Sequence, residues 1–182
     1  MNDQHPEMHE RITAGRLLIT TAGQISMQLD SFCSWLLLGV GGAYALIFSN
    51  LDSLQYLVSS SALQTSLLLL LVAIVLGVLQ RWLAAIVASN VAASEKAEKL
   101  GAELAERNLQ IDFRIVFQEV EKGLHFPSNL IARRSFEKVL GGDFAASGRL
   151  TAGISQVQSL CVLVLVGLVV AAIAFTALGL KT

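Results

Sequence analysis

The chain has 182 residues, of which 54% are hydrophobic and only 15% are charged, and its mean hydropathy is +0.62. A soluble domain carries about 25% charged residues, so this composition excludes an ordinary water-soluble globular fold. The net charge of −1 favours no class of partner, whereas the positions of the charges along the chain are informative.

Three stretches without Asp, Glu, Lys or Arg indicate three membrane-spanning helices. Each is longer than the about 20 residues that a helix needs to cross a hydrocarbon core about 30 Å thick. The stretches are 31–51, 53–80 and 150–180. Because backbone groups in lipid must be hydrogen-bonded within the protein, such stretches favour helices. We predict an all-α integral membrane protein with transmembrane helices at 31–50, 62–82 and 158–180.

Residues 1–30 precede the first span and form a weakly amphipathic segment, which either lies along the membrane or extends the span. His5 and His9 are four residues apart in this segment, with Glu7 between them. A protein metal site needs three or more protein ligands as a rule. We therefore expect an ordinary polar tail here, with no metal and no cofactor.

Small residues at positions four apart occur in spans one and three, and this spacing lets two helices approach closely. The residues are Gly39, Gly42 and Ala43 in span one and Gly167 and Ala171 in span three. The pattern predicts tight packing of the two spans, either within one chain or between subunits. Tyr44, near the middle of span one, indicates an internal face, because a buried phenol hydroxyl needs a hydrogen-bond partner.

The Lys and Arg residues predict the orientation of the chain. Nine of the thirteen lie between positions 90 and 149, and the short loop 51–61 between spans one and two has none. The positive-inside rule places the long segment 83–157 in the cytoplasm. We therefore predict a multi-pass protein of the cell inner (plasma) membrane, with the loop outside, the N-terminus cytoplasmic and the C-terminus external.

Arg81, at the end of span two, has two interpretations. A charge inside the membrane is usually functional, which would make Arg81 part of a pore or transport path. However, it lies about 20 residues after the outer end of the span, which is the depth of the inner interface. Arg reaches toward lipid phosphates and Trp favours the headgroup level. We therefore predict that Trp35, Arg81 and Trp82 are interface anchors.

The sequence of residues 83–157 predicts a cytoplasmic helical hairpin or arm between the second and third spans. Span two is expected to continue as a long helix, with a break near Ser89-Asn90 or Gly101. After a turn at Gly123 and Pro127, a short helix is expected to start at Ser128 and stop at Gly141-Gly142. The residues 143–158 are expected to be a linker into span three.

Two groups of side chains in this segment are predicted to contact a partner or lipid. The first is an apolar stripe at helical spacing, and the second is a basic cluster near the membrane. They are Leu100, Leu104, Ile111 and Ile115, and Arg133, Arg134 and Lys138. The basic cluster lacks interleaved aromatic residues and is diluted by acids, so no nucleic-acid partner is expected.

The sequence contains no nucleophile–base pair, no pair of carboxylates within a span and no phosphate-binding loop. We therefore expect no enzyme and no small-molecule substrate. The expected partners are the lipid bilayer and either further copies of the chain or another membrane protein. The leading hypothesis is an accessory or scaffold subunit that acts through its cytoplasmic helices. The alternative is an oligomeric pore or a membrane-disrupting effector.

Overall fold

The computed structural model describes residues 4–50, 59–108, 111–123 and 128–179, without the side chains of residues 4–7, 113, 128, 130 and 131. Every regular element in these ranges is an α-helix, which confirms the predicted all-α fold. The helices are α1 (Gln4–Ser49), α2 (Ser60–Glu106), α3 (Phe113–Gly123), α4 (Ser128–Leu140) and α5 (Ala146–Leu178). Three of them, α1, α2 and α5, are long and apolar enough to cross a membrane. Most of the predicted external loop, at 51–58, lies outside the described residues.

The three long helices extend beyond the predicted spans. α1 begins at Gln4, so the N-terminal segment extends span one; Pro6 lies in the first turn, where its missing N–H removes no helical hydrogen bond. α2 passes Ser89 and Gly101 without a break. α5 begins at Ala146, so most of the expected linker before span three is helical.

The long helix α2 ends before the point that the sequence indicated, because of two local signals after Glu106. Asn108 has a φ of 52°, in the left-handed region that Asn tolerates better than most residues and that interrupts a right-handed helix. Asp112 then accepts a hydrogen bond at its Oδ1 from the backbone N–H of Arg114 at 2.9 Å. This is the contact of a helix N-cap, and α3 begins at the next residue.

The predicted stop at the end of α4 is confirmed, and its geometry is a Schellman motif. Gly142 has a φ of +89°, and its N–H donates to the carbonyl of Val139 at 3.0 Å. The N–H of Asp143 donates to the carbonyl of Lys138 at 2.9 Å. These two bonds satisfy carbonyl groups that the helix leaves free, and they require a residue at the left-handed position.

The described contacts divide the chain into two compact units. We call Ile25–Ile86 with Ser155–Thr182 the apolar unit, and Met1–Gln24 with Val87–Ile154 the polar unit. In the apolar unit the buried residues of α2 and of α5 recur at alternating intervals of three and four. On α2 they are Ser66, Leu70, Ala73, Gly77, Gln80 and Ala84, and on α5 they are Ser155, Gln158, Val162, Leu165, Val169 and Ala172. This is the periodicity of a coiled-coil seam.

The helix α1 contributes the third side of the apolar core. Its buried residues Ser26, Cys33 and Val40 are spaced by seven, and Tyr44 follows one turn later. The cluster at the centre of the unit combines Cys33, Val40, Tyr44, Leu70, Ala73, Val162, Leu165 and Val169. Three seams that face one interior therefore hold the apolar unit together, while the other faces of the helices remain apolar and exposed.

The polar unit contains a close approach between the backbones of α1 and α5. A Cβ atom placed at Gly148 on α5 would lie 2.5 Å from the carbonyl oxygen of Gly15 on α1 and 2.8 Å from its Cα. Only glycine fits such an approach. On α2, Asn90 Nδ2 donates to Thr151 Oγ1 of α5 at 3.3 Å.

The short helices of the polar unit, α3 and α4, pack against each other. Phe117 on α3 stacks on Phe136 on α4, with the ring centroids 4.3 Å apart and the planes 5° from parallel. An offset stack of this kind stabilises a pair of helices beyond the apolar area that it buries.

Candidate functional site

The predicted interface anchors all point away from the interior. Trp35 is 73% exposed and Trp82 is 49% exposed, and Arg81 is also exposed. The residue before Arg81, Gln80, is the buried one. The polar residue of this stretch that faces the interior of the apolar unit is therefore the glutamine, and the arginine faces outward.

Most of the small residues predicted for helix packing lie on outer faces. A Cβ atom at Gly39, Gly42 or Gly167 would have no atom of the described structure within 4 Å. Ala43 is exposed, and Ala171 is half-buried. Close packing within the apolar unit occurs instead at Gly77, where a Cβ would lie 2.5 Å from Leu37 Cδ1. Contact of the outward small residues with a second subunit stays a prediction.

The predicted apolar stripe is divided between three segments. Leu100 is exposed and Leu104 is half-buried on α2, whereas Ile111 precedes α3 and Ile115 lies on it, both exposed. The end of α2 at Glu106 interrupts the helical period that would have aligned them.

The predicted basic cluster lies on α4, and its three members are exposed. Arg133 Nε donates to Glu137 Oε1 at 3.0 Å, and this hydrogen bond raises the pKa of the guanidinium above its ordinary value. An exposed pair of this kind contributes little to stability. Arg134 and Lys138, by contrast, form no ion pair with a described residue. Both side chains are exposed, so an anionic surface could contact their charges.

A groove in the polar unit is a feature that the sequence did not indicate. It has a volume of about 550 Å³ and opens to the surface. Its lining is mostly apolar and comes from α1, α2, α3, α4 and α5: Ile12, Gly15, Arg16, Ile19, Ser94, Ala97, Glu98, Phe117, Val139, Leu140, Phe144 and Ser147. Arg16 Nη1 and Glu98 Oε1 form an ion pair at 2.9 Å across it. The groove combines apolar walls with one charge of each sign.

A first polar layer crosses the apolar unit at Tyr44, which is 4% exposed. Its hydroxyl contacts Ser66 Oγ on α2 and lies 3.2 Å from Thr176 Oγ1 on α5. Ser66 Oγ in turn donates to the carbonyl of Ala172 at 2.7 Å. The expectation that the Tyr44 hydroxyl has an internal partner is confirmed.

A second polar layer lies at the other end of the apolar unit. Gln158 Nε2 donates to the carbonyl of Ser26 at 3.1 Å. Asp30 and Gln80 lie fourteen residues from Tyr44 and Ser66 on their helices, which places them at this same end. The sequence analysis did not identify this layer, although one signal was present: a polar residue within an apolar helix usually faces other helices rather than lipid.

Among the residues that the structure describes, no group of three or more His, Cys, Asp or Glu side chains is arranged to hold a metal ion. The two cysteines, Cys33 and Cys161, are both free. Comparison of the chain with protein families, with curated proteins and with solved structures finds no match. The three apolar helices indicate a membrane-embedded protein.

Proposed function

We propose that this chain is a non-enzymatic protein of the cell inner membrane that serves as an accessory or scaffold subunit and recruits a partner through its polar unit. The observation that carries the proposal is the groove of about 550 Å³ with its Arg16–Glu98 pair. Binding sites are typically concave and apolar, with a few polar groups that fix the orientation of the ligand.

Exposed apolar side chains outside the spans support the same proposal. Leu100 is 57% exposed, and Ile115 is 58% exposed. Val116 and Val120 on α3 are also among the exposed large hydrophobic residues. Apolar surface in contact with water favours association with another protein or with a membrane surface.

In this proposal the polar unit is cytoplasmic, and its arm consists of the end of α2 with α3 and α4. The support is the positive-inside rule applied to the nine Lys and Arg residues between positions 90 and 149. The N-terminus is then cytoplasmic and the C-terminus external. A reporter enzyme that is active only on the external side of the membrane tests this orientation. A fusion after Thr182 is expected to be active. Activity of a fusion before Met1 would show that the orientation is reversed.

The interior of the apolar unit favours a scaffold over a pore through a single chain. Between the two polar layers the seams are filled by apolar or small residues, including Val40, Ala73 and Leu165, which are each at most 9% exposed. The two layers are fourteen residues apart on α2, or about 21 Å at the rise of an α-helix. No charged side chain lies on the three helices over that distance, so an ion there would have no counter-charge.

Photo-crosslinking in native membranes tests partner recruitment. A photoreactive residue is placed at Ser94, which lines the groove, and Ala97→Trp is added to fill the groove. We expect one specific protein adduct from Ser94, and we expect Ala97→Trp to abolish it. The matched control is Ala102→Trp, an exposed position on the same helix that does not line the groove. An adduct that persists in Ala97→Trp, or no adduct at all, would refute the proposal.

The second candidate is an oligomeric pore or membrane-disrupting effector. The outward position of Gly39, Gly42 and Gly167, with open space beside each, favours this alternative because a second chain can approach closely there. Arg81 would then line the cytoplasmic mouth. Ion flux through reconstituted liposomes distinguishes the pore from the scaffold. Absence of flux from a verified oligomer would exclude the pore. Unchanged conductance in Arg81→Leu would show that Arg81 does not line the mouth of the pore.

A further inference from the structure

Three buried polar atoms of the apolar unit have no hydrogen-bond partner among the described residues. They are Asp30 Oδ1, Gln80 Nε2 and Gln158 Oε1. Gln80 is 1% exposed and Gln158 is not exposed at all. Buried polar groups in native proteins are nearly always hydrogen-bonded, because an unpaired one loses its hydration without replacement. Three such atoms in one unit therefore point to a further polar group between them.

The packing of the helices brings the three side chains to one level. Tyr44 on α1 meets Ser66 on α2, and fourteen residues from this contact along each antiparallel helix lie Asp30 and Gln80. Tyr44 contacts Thr176 on α5, and Ser26 contacts Gln158 on α5, and both pairs are 132 residues apart in the chain. The equal separation means that α1 and α5 run parallel and keep the same register between the two contacts. Since Ser26 and Asp30 are one helical turn apart, all three side chains lie within about 5 Å along the bundle axis.

The chemistry of the three atoms specifies the group. Asp30 Oδ1 and Gln158 Oε1 accept hydrogen bonds, whereas Gln80 Nε2 donates them. A water molecule donates two hydrogen bonds and accepts up to two. We propose that Asp30, Gln80 and Gln158 hold one resident water molecule in the apolar unit, which donates to the two oxygens and accepts from the Gln80 amide. A metal cation fits this set less well, because the Gln80 N–H group would face it.

The bound water gives the second polar layer a definite role. It links side chains from α1, α2 and α5, and a shift of α2 by one heptad would bring Ala73 or Val87 to the position of Gln80. A polar layer in a coiled-coil seam fixes the register of its helices in this way. The site lies beside Arg81, at the end of the predicted second span.

Nuclear magnetic resonance of the full chain in lipid bilayers tests the proposal. Magnetisation transfer from water to the side-chain amides of Gln80 and Gln158 is measured with a soluble paramagnetic agent that quenches bulk water. We expect transfer to both buried amides to persist. Gln156, an exposed glutamine on the same helix as Gln158, serves as the internal control, and its transfer is expected to be lost.

Variants then identify the groups that hold the water. Gln80→Met keeps the side-chain volume and removes the donor, so transfer to the Gln158 amide is expected to disappear. Gln156→Leu is expected to leave it unchanged. Folding of each variant is checked by the hydroxyl contacts of Tyr44 in the first polar layer. Two alternatives provide further variants if Gln80→Met does not fold: Gln80→Leu and Asp30→Asn.

Three results would overturn the proposal. The first is the absence of transfer to Gln158 in the folded wild-type protein, which would mean that the glutamines are dry. The second is transfer that survives in folded Gln80→Met. The third is a change of the Gln80 and Gln158 signals when sodium is exchanged for a bulky organic cation, which would identify a metal ion in the place of the water.

Discussion

The hydroxyl of Tyr44 on α1 lies 3.2 Å from the hydroxyl of Thr176 on α5, and both contact Ser66 on α2. Each of the three long helices therefore supplies one hydroxyl group to a single layer of the apolar unit. In hydrocarbon, apolar side chains contact lipid about as favourably as they contact another helix. Hydrogen bonds between helices, as in this layer, therefore stabilise their association.

Removing the phenol hydroxyl in Tyr44→Phe is expected to destabilise the apolar unit by about 1 kcal/mol. The Ser66 and Thr176 hydroxyls retain the carbonyl of Ala172 as an acceptor, so the loss stays small. Unfolding in mixed micelles measures it. Thr65→Val is the control, since Thr65 is exposed and bonds only to the carbonyl of Ser61 on its own helix. Equal effects of the two changes would show that the layer contributes nothing.

Gly148→Ala is expected to destabilise the polar unit by about 1–3 kcal/mol, because the new methyl group would meet the backbone of Gly15. Gly77→Ala is expected to cost less, since its methyl group meets the ends of the flexible side chains of Leu37 and Leu165. Gly101→Ala, with open space at the same position, is expected to stabilise α2 by up to about 1 kcal/mol. Unfolding of the three variants measures this order, and a neutral Gly148→Ala would contradict the close approach.

Gly142→Ala tests the end of α4. The φ of +89° strains any residue with a Cβ, so we expect a loss of about 1 kcal/mol. The adjacent Gly141→Ala is the matched control, because its methyl group would only touch the carbonyls of Glu137 and Lys138 at 3.4 Å. Thermal unfolding followed by circular dichroism compares the two. A larger effect at Gly141 would place the left-handed residue one position earlier.

Phe136→Ala is expected to loosen α3 and α4 without affecting the apolar unit, because it removes the ring that stacks on Phe117. Hydrogen exchange measures this as faster exchange of backbone amides in residues 113–140, with unchanged protection in residues 158–178. Val120→Ala, at an exposed position of α3, serves as the control. Faster exchange in both regions would show that the two units unfold together.

The sequence predicted the existence and type of the long helices well, because their signal is strong. A stretch of 31 residues without a charge, such as 150–180, has few alternatives to a spanning helix. Boundaries were harder to predict. The end of α2 depends on the left-handed conformation of Asn108, and the helical start of α5 at Ala146 includes residues that read as a linker.

Apart from Tyr44, the residues that face the interior of the apolar unit were not identified from the sequence. The packing prediction was based on small residues such as Gly39 and Gly167. Both lie on outer faces of their helices. The hydrophobic period that identifies an inner face is weak in these helices, since nearly every residue is apolar. Spacing of the few polar residues carries the signal instead: Ser66 and Gln80 are fourteen apart, which is two heptads.

The amino-acid sequence by itself determined that this chain is helical and suited to a membrane, because an uncharged helix of sufficient length is favoured in lipid whatever it packs against. Only the tertiary structure decided which faces meet. The polar layers at Tyr44 and Gln158 and the groove at Arg16 each combine side chains that are far apart in the chain. Their assembly depends on the relative rotation and register of helices, which packing sets and local sequence does not.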